Sequence, residues 1–151
     1  MTAPSYIAAQ AIASIVNTAW AEQSMPTCNA ALAPKVSPET GEEAMPAAYA
    51  IPTGHSLTRP NRASVANEME VALVLVIEAA TDETALNALA LMDVAAKAVL
   101  AAGRLENVAF ISATTPQICD SALLANARIF RSQVNFTCLS HSSLTEDDDG
   151  N

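Results

Sequence analysis

The longest regular pattern of apolar and polar positions lies in residues 67–79. Every second position of this stretch carries a large apolar side chain, namely Met69, Val71, Leu73, Leu75 and Ile77. Period-two alternation of such residues predicts a strand with one buried face. The positions between them are acidic at the two ends and apolar in the middle, at Ala72, Val74 and Val76. We therefore expect part of the second face to be covered too, by another element of the chain or by another subunit.

A helical pattern follows this strand and extends to residue 102. Thr81 offers an N-cap oxygen, and Asp82 and Glu83 place negative charge in the first turn, where the helix dipole favours it. Gly103 is a natural helix stop. The apolar residues that recur at helical spacing between them are Leu86, Leu89, Ala90, Val94, Ala96, Val99 and Leu100. We expect this set to form the face that packs on the sheet.

Shorter patterns predict the other elements. Residues 7–20 carry an apolar stripe that predicts an amphipathic first helix, with Ser5 as its N-cap and Trp20 as a core anchor. Extended pieces are expected at residues 30–36, 47–51 and 107–112, with a turn at 37–41 and an ambiguous segment at 119–126. Residues 129–139 alternate again, and the predicted core-facing positions are Phe130, Ser132, Val134, Phe136 and Cys138.

These elements predict an α+β fold with an antiparallel sheet of about four to five strands and two main helices packed on one face. We expect a single domain over residues 1–140. Residues 53–66 are expected to project as a hairpin or long loop, and residues 141–151, which are rich in Ser and then acidic, to form a disordered tail.

Charge and cysteine content narrow the functional classes. Sixteen acidic and seven basic residues give a net charge of −9, so the chain is a poor candidate for direct nucleic-acid binding. Three cysteines without a C-x-x-C pair make a disulfide framework or a zinc site improbable and suit a reducing compartment. The apolar N-terminal region lacks a basic start, so we expect neither a signal peptide nor a membrane span there.

Four groups of residues could carry chemistry, and each has a plainer interpretation. Gly54, His55 and Ser56 lack the G-x-S-x-G spacing of a nucleophile turn. Cys119, beside Asp120, could pair with His55 or His141, although an inert buried thiol is more common. Glu68 with Glu70 could serve as acid and base, and Asp147–Asp149 could bind calcium, but a charged strand edge and a solvated tail are the more common reasons for such residues. We therefore expect no catalytic residue, no cofactor and no metal.

The arginines are the most informative charged residues. Arg59, Arg62, Arg128 and Arg131 are four of only seven basic residues in an acidic chain. Arginine is enriched at protein interfaces and pairs in bidentate fashion with carboxylates. These four are therefore the predicted interface residues, with ordinary surface arginines as the alternative.

The order and spacing of these features over residues 47–139 resemble the tail terminator and neck proteins of tailed bacteriophages. The resemblance lies in an opening helix at residues 7–20, the strand Tyr49-Ala50-Ile51-Pro52, a long loop, and a strand introduced by Glu68. An acidic-capped helix follows, and the closing strand begins with Phe130.

The resemblance implies a hexameric ring of α+β subunits that caps the tail tube and offers a surface to the head-proximal neck. Such a protein would be located in the virion, and in the host cytoplasm during assembly. Its partners would be copies of itself, the tail tube protein and neck or connector proteins. The apolar second face of residues 67–79 would suit contacts between copies, and the loop at 53–66 would hold the tube or a neighbour.

Two other functions remain open at this point. One is a connector or stopper protein of the same neck. The other, of a different class, is a cytosolic α+β module that binds a ligand or partner and has a reactive Cys119.

Overall fold

The computed structural model describes residues 2–36, 41 and 44–143. This part of the chain contains three helices, α1 (Pro4–Ala19), α2 (Asp82–Ala102) and α3 (Ser121–Ala127). Its strands are β1 (Cys28–Ala30), β2 (Ala47–Thr58), β3 (Ser64–Glu78), β4 (Arg104–Leu105), β5 (Val108–Gln117) and β6 (Ile129–Ser143). They form one sheet in the order β1-β2-β3-β6-β5-β4.

The α+β prediction is confirmed, with corrections to the sheet. The described residues give six strands rather than four to five. The edge strand β1 lies at Cys28–Ala30 and not at the predicted 30–36, and it pairs with β2 in parallel, whereas the other neighbours are antiparallel. The ambiguous segment at 119–126 is mainly the short helix α3. The predicted turn at 37–41 lies almost wholly outside the described residues. The tail predicted at 141–151 is wrong for residues 141–143, which continue β6 because they pair with β3, and its remainder lies outside the described residues.

The pairing of β3 with β6 is the longest contact in the sheet. It runs without a register shift from Glu78↔Ile129 to Ser64↔Ser143. The alternation predicted for both strands is confirmed, since Met69, Val71, Leu73 and Leu75 of β3 lie in the main core with Phe130, Val134, Phe136 and Cys138 of β6. Both α1 and α2 pack on this face and share the same core.

The second face of β3 is covered by the chain itself. Val74 and Val76 are only 2% exposed, and Met45 and Ile129 pack against them. On the same face of the neighbouring strand β2, Ala47, Tyr49 and Ile51 form a buried cluster, and Ala31 packs against this cluster. The expectation that this face contacts other copies is therefore wrong, because side chains buried within one copy cannot form an interface.

Helix α1 begins two residues earlier than expected and is fixed at its far end by a side-chain amide. Its N-cap is Ala3 rather than Ser5, because Pro4 at the first helical position already has the required φ and needs no N–H partner. Asn17 donates from Nδ2 to the Cys28 carbonyl at 2.9 Å and accepts from the Cys28 N–H at 2.7 Å. This reciprocal pair fixes β1 against the helix.

The buried face of α2 differs from the predicted one. The fully buried positions are Ala85, Ala88, Met92, Ala95 and Val99. Of the residues predicted to face the sheet, only Val99 is fully buried. Leu89 and Ala96 are half-buried, whereas Leu86 and Val94 are exposed. The reason is space, because α2 packs against both the sheet and α1, and small side chains allow the closer approach. Trp20 Nε1 donates to the Leu91 carbonyl at 2.9 Å and helps to fix this crossing.

Residues 53–66 form strands rather than a long loop. β2 continues to Thr58 after a register shift at Thr53, and β3 begins at Ser64, so only residues 59–63 turn. The hairpin alternative is therefore the one observed. β5 also runs beyond the predicted end at residue 112, and its pairing with β6 shifts register twice.

The orientation of α2 can be tested by two substitutions. Ala88→Leu should lower the free energy of unfolding by about 1–3 kcal/mol, because it overpacks a closed site. Leu86→Ala should change it by less than about 0.5 kcal/mol, because that side chain is 66% exposed. Urea denaturation measures the free energy of unfolding of both variants. If the face predicted from the sequence were the buried one, Leu86→Ala would destabilise the protein more than Ala88→Leu.

Candidate assembly interface

A three-stranded ribbon extends beyond the body of the sheet. β1 pairs with β2 only at residues 48–50, and β5 pairs with β6 no farther than Leu139. Past these points, residues 54–58 of β2 pair with residues 66–70 of β3, and residues 64–67 of β3 pair with residues 140–143 of β6. We call this ribbon the β-arm. Its two outer edges pair with no further strand within the described part of the chain, although the His141 carbonyl on β6 accepts a hydrogen bond from Asn107 Nδ2 at 2.8 Å. Strand edges of this kind are competent to pair with another chain.

A buried amide joins the three strands of the β-arm. Asn67 is 2% exposed. Its Nδ2 donates to Ser142 Oγ at 2.8 Å and is 3.5 Å from Ser140 Oγ, while its Oδ1 lies 2.9 Å from His55 Nε2. The side chains that hold the amide come from β2 and β6, so this cluster stiffens the arm, and it accounts for His55.

The tip of the β-arm is basic. Arg59 donates from Nε to the Asn61 carbonyl at 3.3 Å and from Nη2 to the Arg62 carbonyl at 3.5 Å. Asn61 Oδ1 accepts from the Ala63 N–H at 2.8 Å, which closes the turn. Residues 44–67 contain no acidic side chain. The tip is therefore a positive end on a strongly negative protein.

Arg128 and Arg131 lie at the other end of the same strand pair. Arg128 caps α3 in the left-handed region (φ 55°), and its side chain donates to the Ala79 carbonyl and to Asp82 Oδ1, both at 3.0 Å. Arg131 Nη1 lies 3.4 Å from Gln117 Oε1. The strand path along β3 from Ser64, at one end of the pairing, to Glu78, at the other, is roughly 45 Å. The four predicted interface residues thus form two separate pairs, and Arg128 has a structural role of its own.

The cysteines occupy environments that disfavour the thiolate. Burial raises the pKa of the Cys28 and Cys138 thiols to about 12. The pKa of Cys119 is raised as well, first by desolvation and then by the Asp120 carboxylate, and a reactive thiol needs the reverse.

The predicted partners of Cys119 lie elsewhere. Asp120, next in the chain, donates from its N–H to the Arg131 carbonyl at 3.0 Å, which places Cys119 near the Arg131 end of β6. His55 and His141 both belong to the β-arm, at the opposite end. Asp120 instead caps α3, where its Oδ1 accepts from the Leu123 N–H at 3.1 Å. The structure therefore does not bring a thiol and an imidazole together.

The remaining chemical candidates do not converge on an enclosed site. Glu68 and Glu70 are exposed on β3, opposite Ser56 and Gly54, beside an open cleft of about 180 Å³. The 147–149 acidic run lies outside the described residues. Within residues 2–36, 41 and 44–143, no three His, Cys, Asp or Glu side chains are grouped as metal ligands would be.

An apolar groove that sequence reasoning missed lies between α2 and the end of β5. Its volume is about 440 Å³, and its mouth carries Leu86, 66% exposed, and Ile118, 57% exposed. Leu89, Ala90 and Val134 are among its other lining residues. We call it the α2 groove. The signal in the sequence was the excess of large apolar residues on α2 over those that one face can bury.

The same apolar character makes α2 the one described helix that is long and apolar enough to cross a membrane. Core helices of globular proteins pass the same test, and α2 packs on the sheet and on α1.

Solved structures that are similar to this chain include a virion protein. No protein-family model matches the chain, and no curated protein matches it in sequence. A chain from the virion of a native gene transfer agent particle matches in structure with a TM-score of 0.39 and 16% sequence identity, over 91% of this chain and 90% of that one.

The structural role of Arg128 predicts a stability difference among the arginines. Arg128→Ala should lower the free energy of unfolding by about 1–2 kcal/mol, mainly through the lost hydrogen bond to Ala79, because the pair with Asp82 is exposed and screened. Arg62→Ala should change it by less than about 0.5 kcal/mol. Equal effects in thermal or urea unfolding would contradict this assignment.

The buried thiols predict an alkaline loss of stability. In the unfolded chain these thiols deprotonate near pH 9.0, whereas in the fold their pKa is about 12, so the unfolded state releases protons first. The contribution is complete below pH 9.0 and is lost as the pH rises toward 12. Urea unfolding between pH 8 and 10.5 should show a smaller loss in Cys28→Ala than in the unsubstituted protein. Parallel pH profiles would exclude the effect.

Proposed function

We propose that this chain is a structural protein of a phage-like virion and, specifically, a tail terminator. Copies would form a ring, most simply a hexamer, that caps the tail tube and joins it to the head-proximal neck. The observation that carries the proposal is the β-arm, a stiff ribbon with open edges and a basic tip that extends from an otherwise acidic subunit. The role is one of assembly and requires no catalytic residue.

The position of the β-arm favours head-to-tail assembly. Its tip lies at one end of the β3–β6 pair, and the exposed apolar residues Leu86 and Ile118 lie toward the other. When two different surfaces of one subunit bind each other in neighbouring copies, the contact is heterologous. Such contacts form a closed ring when the rotation from one copy to the next divides a full turn evenly. A ring that closes has a defined size, which is what a cap on a tube requires.

Charge supports the same arrangement. The tip carries two of the seven basic residues, and the chain as a whole has a net charge of −9. A neighbouring copy is therefore an attractive partner for the tip, whereas two tips repel each other. The same negative charge makes nucleic acid an unfavourable partner.

The element order also supports the assignment. The opening helix, the strand through Tyr49 and Pro52, the hairpin, the β3–α2 unit and the closing strand from Phe130 follow one another as in the terminator and neck proteins that the sequence resembles. The proposed partners are the tail tube protein and neck or connector proteins. The proposed location is the virion, after assembly in the host cytoplasm.

Electron microscopy with light scattering tests the proposal. The purified chain should form particles of several subunits, and with tail tubes from the same particle it should form rings at the tube ends. Rings that bind neck or head preparations but leave tube ends bare would instead identify a connector or stopper. A monomer under all these conditions would exclude both roles.

The contribution of the arm tip can be measured separately. Arg59→Glu with Arg62→Glu should weaken assembly by about tenfold or more, since reversal of interface charges has effects of that size. The free energy of unfolding should change by less than about 0.5 kcal/mol, because both side chains are exposed and the Arg59 hydrogen bonds are long ones to carbonyls of the turn. Arg104→Glu, an exposed arginine off the arm, is the matched control and should assemble normally. If the unsubstituted protein, the double variant and Arg104→Glu assemble equally well, the arm tip is not part of the interface.

A further inference from the structure

The α2 groove exposes more apolar surface than an isolated subunit favours. Leu86 and Ile118 flank its mouth and are more than half exposed, while the floor is closed by Ser132 and Val134 of β6. Contiguous exposed apolar surface of this kind commonly marks a docking site. Its volume of about 440 Å³ admits one or two apolar side chains of a partner.

One exposed apolar side chain stands out on the β-arm. Leu57 is 65% exposed on a strand segment whose neighbours are His55, Ser56 and Thr58. Arg59 follows two residues later, at the start of the turn that ends this strand, and its side chain is exposed. The arm therefore presents an apolar group followed by a cation.

An acidic side chain lies beside the groove on α2. Glu83 is not a lining residue, but it lies three residues before Leu86, so the two side chains are neighbours on one helix face, about 5–6 Å apart. Glu83 is exposed in the first turn, whereas the adjacent Asp82 is paired with Arg128. An apolar contact beside an anion thus complements the apolar group and the cation of the arm in chemistry.

The arm cannot occupy the groove of its own subunit. Leu57 pairs with Asn67, and Asn67 pairs with Ser140, whereas the groove lies over Ser132. Eight residues of β6 separate these two rungs, a strand path of roughly 26 Å. The paired strands and the buried Asn67 amide prevent the arm from folding back, so any contact must be with another copy.

We propose that the α2 groove of one subunit receives the β-arm of the next, with Leu57 seated between Leu86 and Ile118 and Arg59 paired with Glu83. This rests on the head-to-tail assembly of the proposed function and names its contact. The occupant is a second copy of this chain, because the apolar group and the cation of the arm are complementary to the apolar groove and the anion beside it. A segment of the tail tube protein is the competing occupant.

Cysteine cross-linking tests the contact directly. In a Cys119→Ser background, Leu57→Cys combined with Ile118→Cys should give a ladder of covalent oligomers on non-reducing gels after mild oxidation. The matched control combines Leu57→Cys with Ile111→Cys, because Ile111 is also 57% exposed but lies outside the groove. The control should remain uncross-linked. A ladder from both pairs, or from neither, would overturn the proposal.

Two further variants separate this contact from the proposed function. Leu86→Ala should weaken self-association by about tenfold without affecting folding. Glu83→Arg should weaken it similarly, and combining Glu83→Arg with Arg59→Glu should restore it. If Leu86→Ala still forms rings normally and the Leu57→Cys, Ile118→Cys variant does not cross-link, the groove contact is wrong. The proposed terminator role would not be affected by that result.

The remaining outcomes are equally decisive. If Ile118→Cys cross-links to the tube protein and not to another copy, the groove is a tube-docking site and the proposal is wrong. If the unsubstituted chain forms no oligomer alone or with tail tubes, the proposed function fails and this contact fails with it.

Discussion

The pairing of β3 with β6 is the constraint on which the rest of the structure depends. It runs unbroken across all fifteen residues of both strands and lies at the centre of the sheet. One end of the pair is buried under two helices and supplies the core, and the other end continues beyond them as the β-arm. A single unshifted register therefore joins the hydrophobic core to the most exposed part of the molecule. A slip of one residue would exchange core and solvent faces along the whole pair, which the buried Phe130 and Phe136 forbid.

The sequence predicted the strands of the core better than it predicted the helix face or the arm. β3 and the first part of β6 alternate large apolar and polar residues, and that alternation directly reflects one buried face. α2 carries two apolar stripes, one of alanines and one of leucine and valine, and hydropathy favours the larger side chains. Which of the two faces is buried depends on the space that α1 leaves, and the sequence of α2 alone does not contain this information. At residues 53–66 the sequence left a hairpin and a long loop as alternatives, because much of the β-arm surface is exposed and backbone pairing leaves little hydropathic alternation at residues 54–58.

The candidate interface shows the same division. Arg59 and Arg128 are equivalent as sequence features, yet one lies in an exposed turn and the other caps a helix in the left-handed region and holds Asp82. Only tertiary contacts distinguish them. Met45 and Ile129 pack against the second face of β3, so the exposed apolar surface lies on α2 and not on this part of the sheet. The subunit is thus left with surfaces suited to self-association at two distant places rather than on one broad face.

The buried Asn67 amide has a consequence for how fast and how tightly copies can associate. Because its hydrogen bonds hold the arm in shape before any partner arrives, docking would not have to order a flexible segment, and less conformational entropy would be lost on binding. In the proposed ring, a preorganised arm would also set the geometry, since the angle at which it leaves the sheet would fix the rotation from one subunit to the next. The number of subunits that closes a ring would then be encoded in the twist of three strands and not in the side chains that touch.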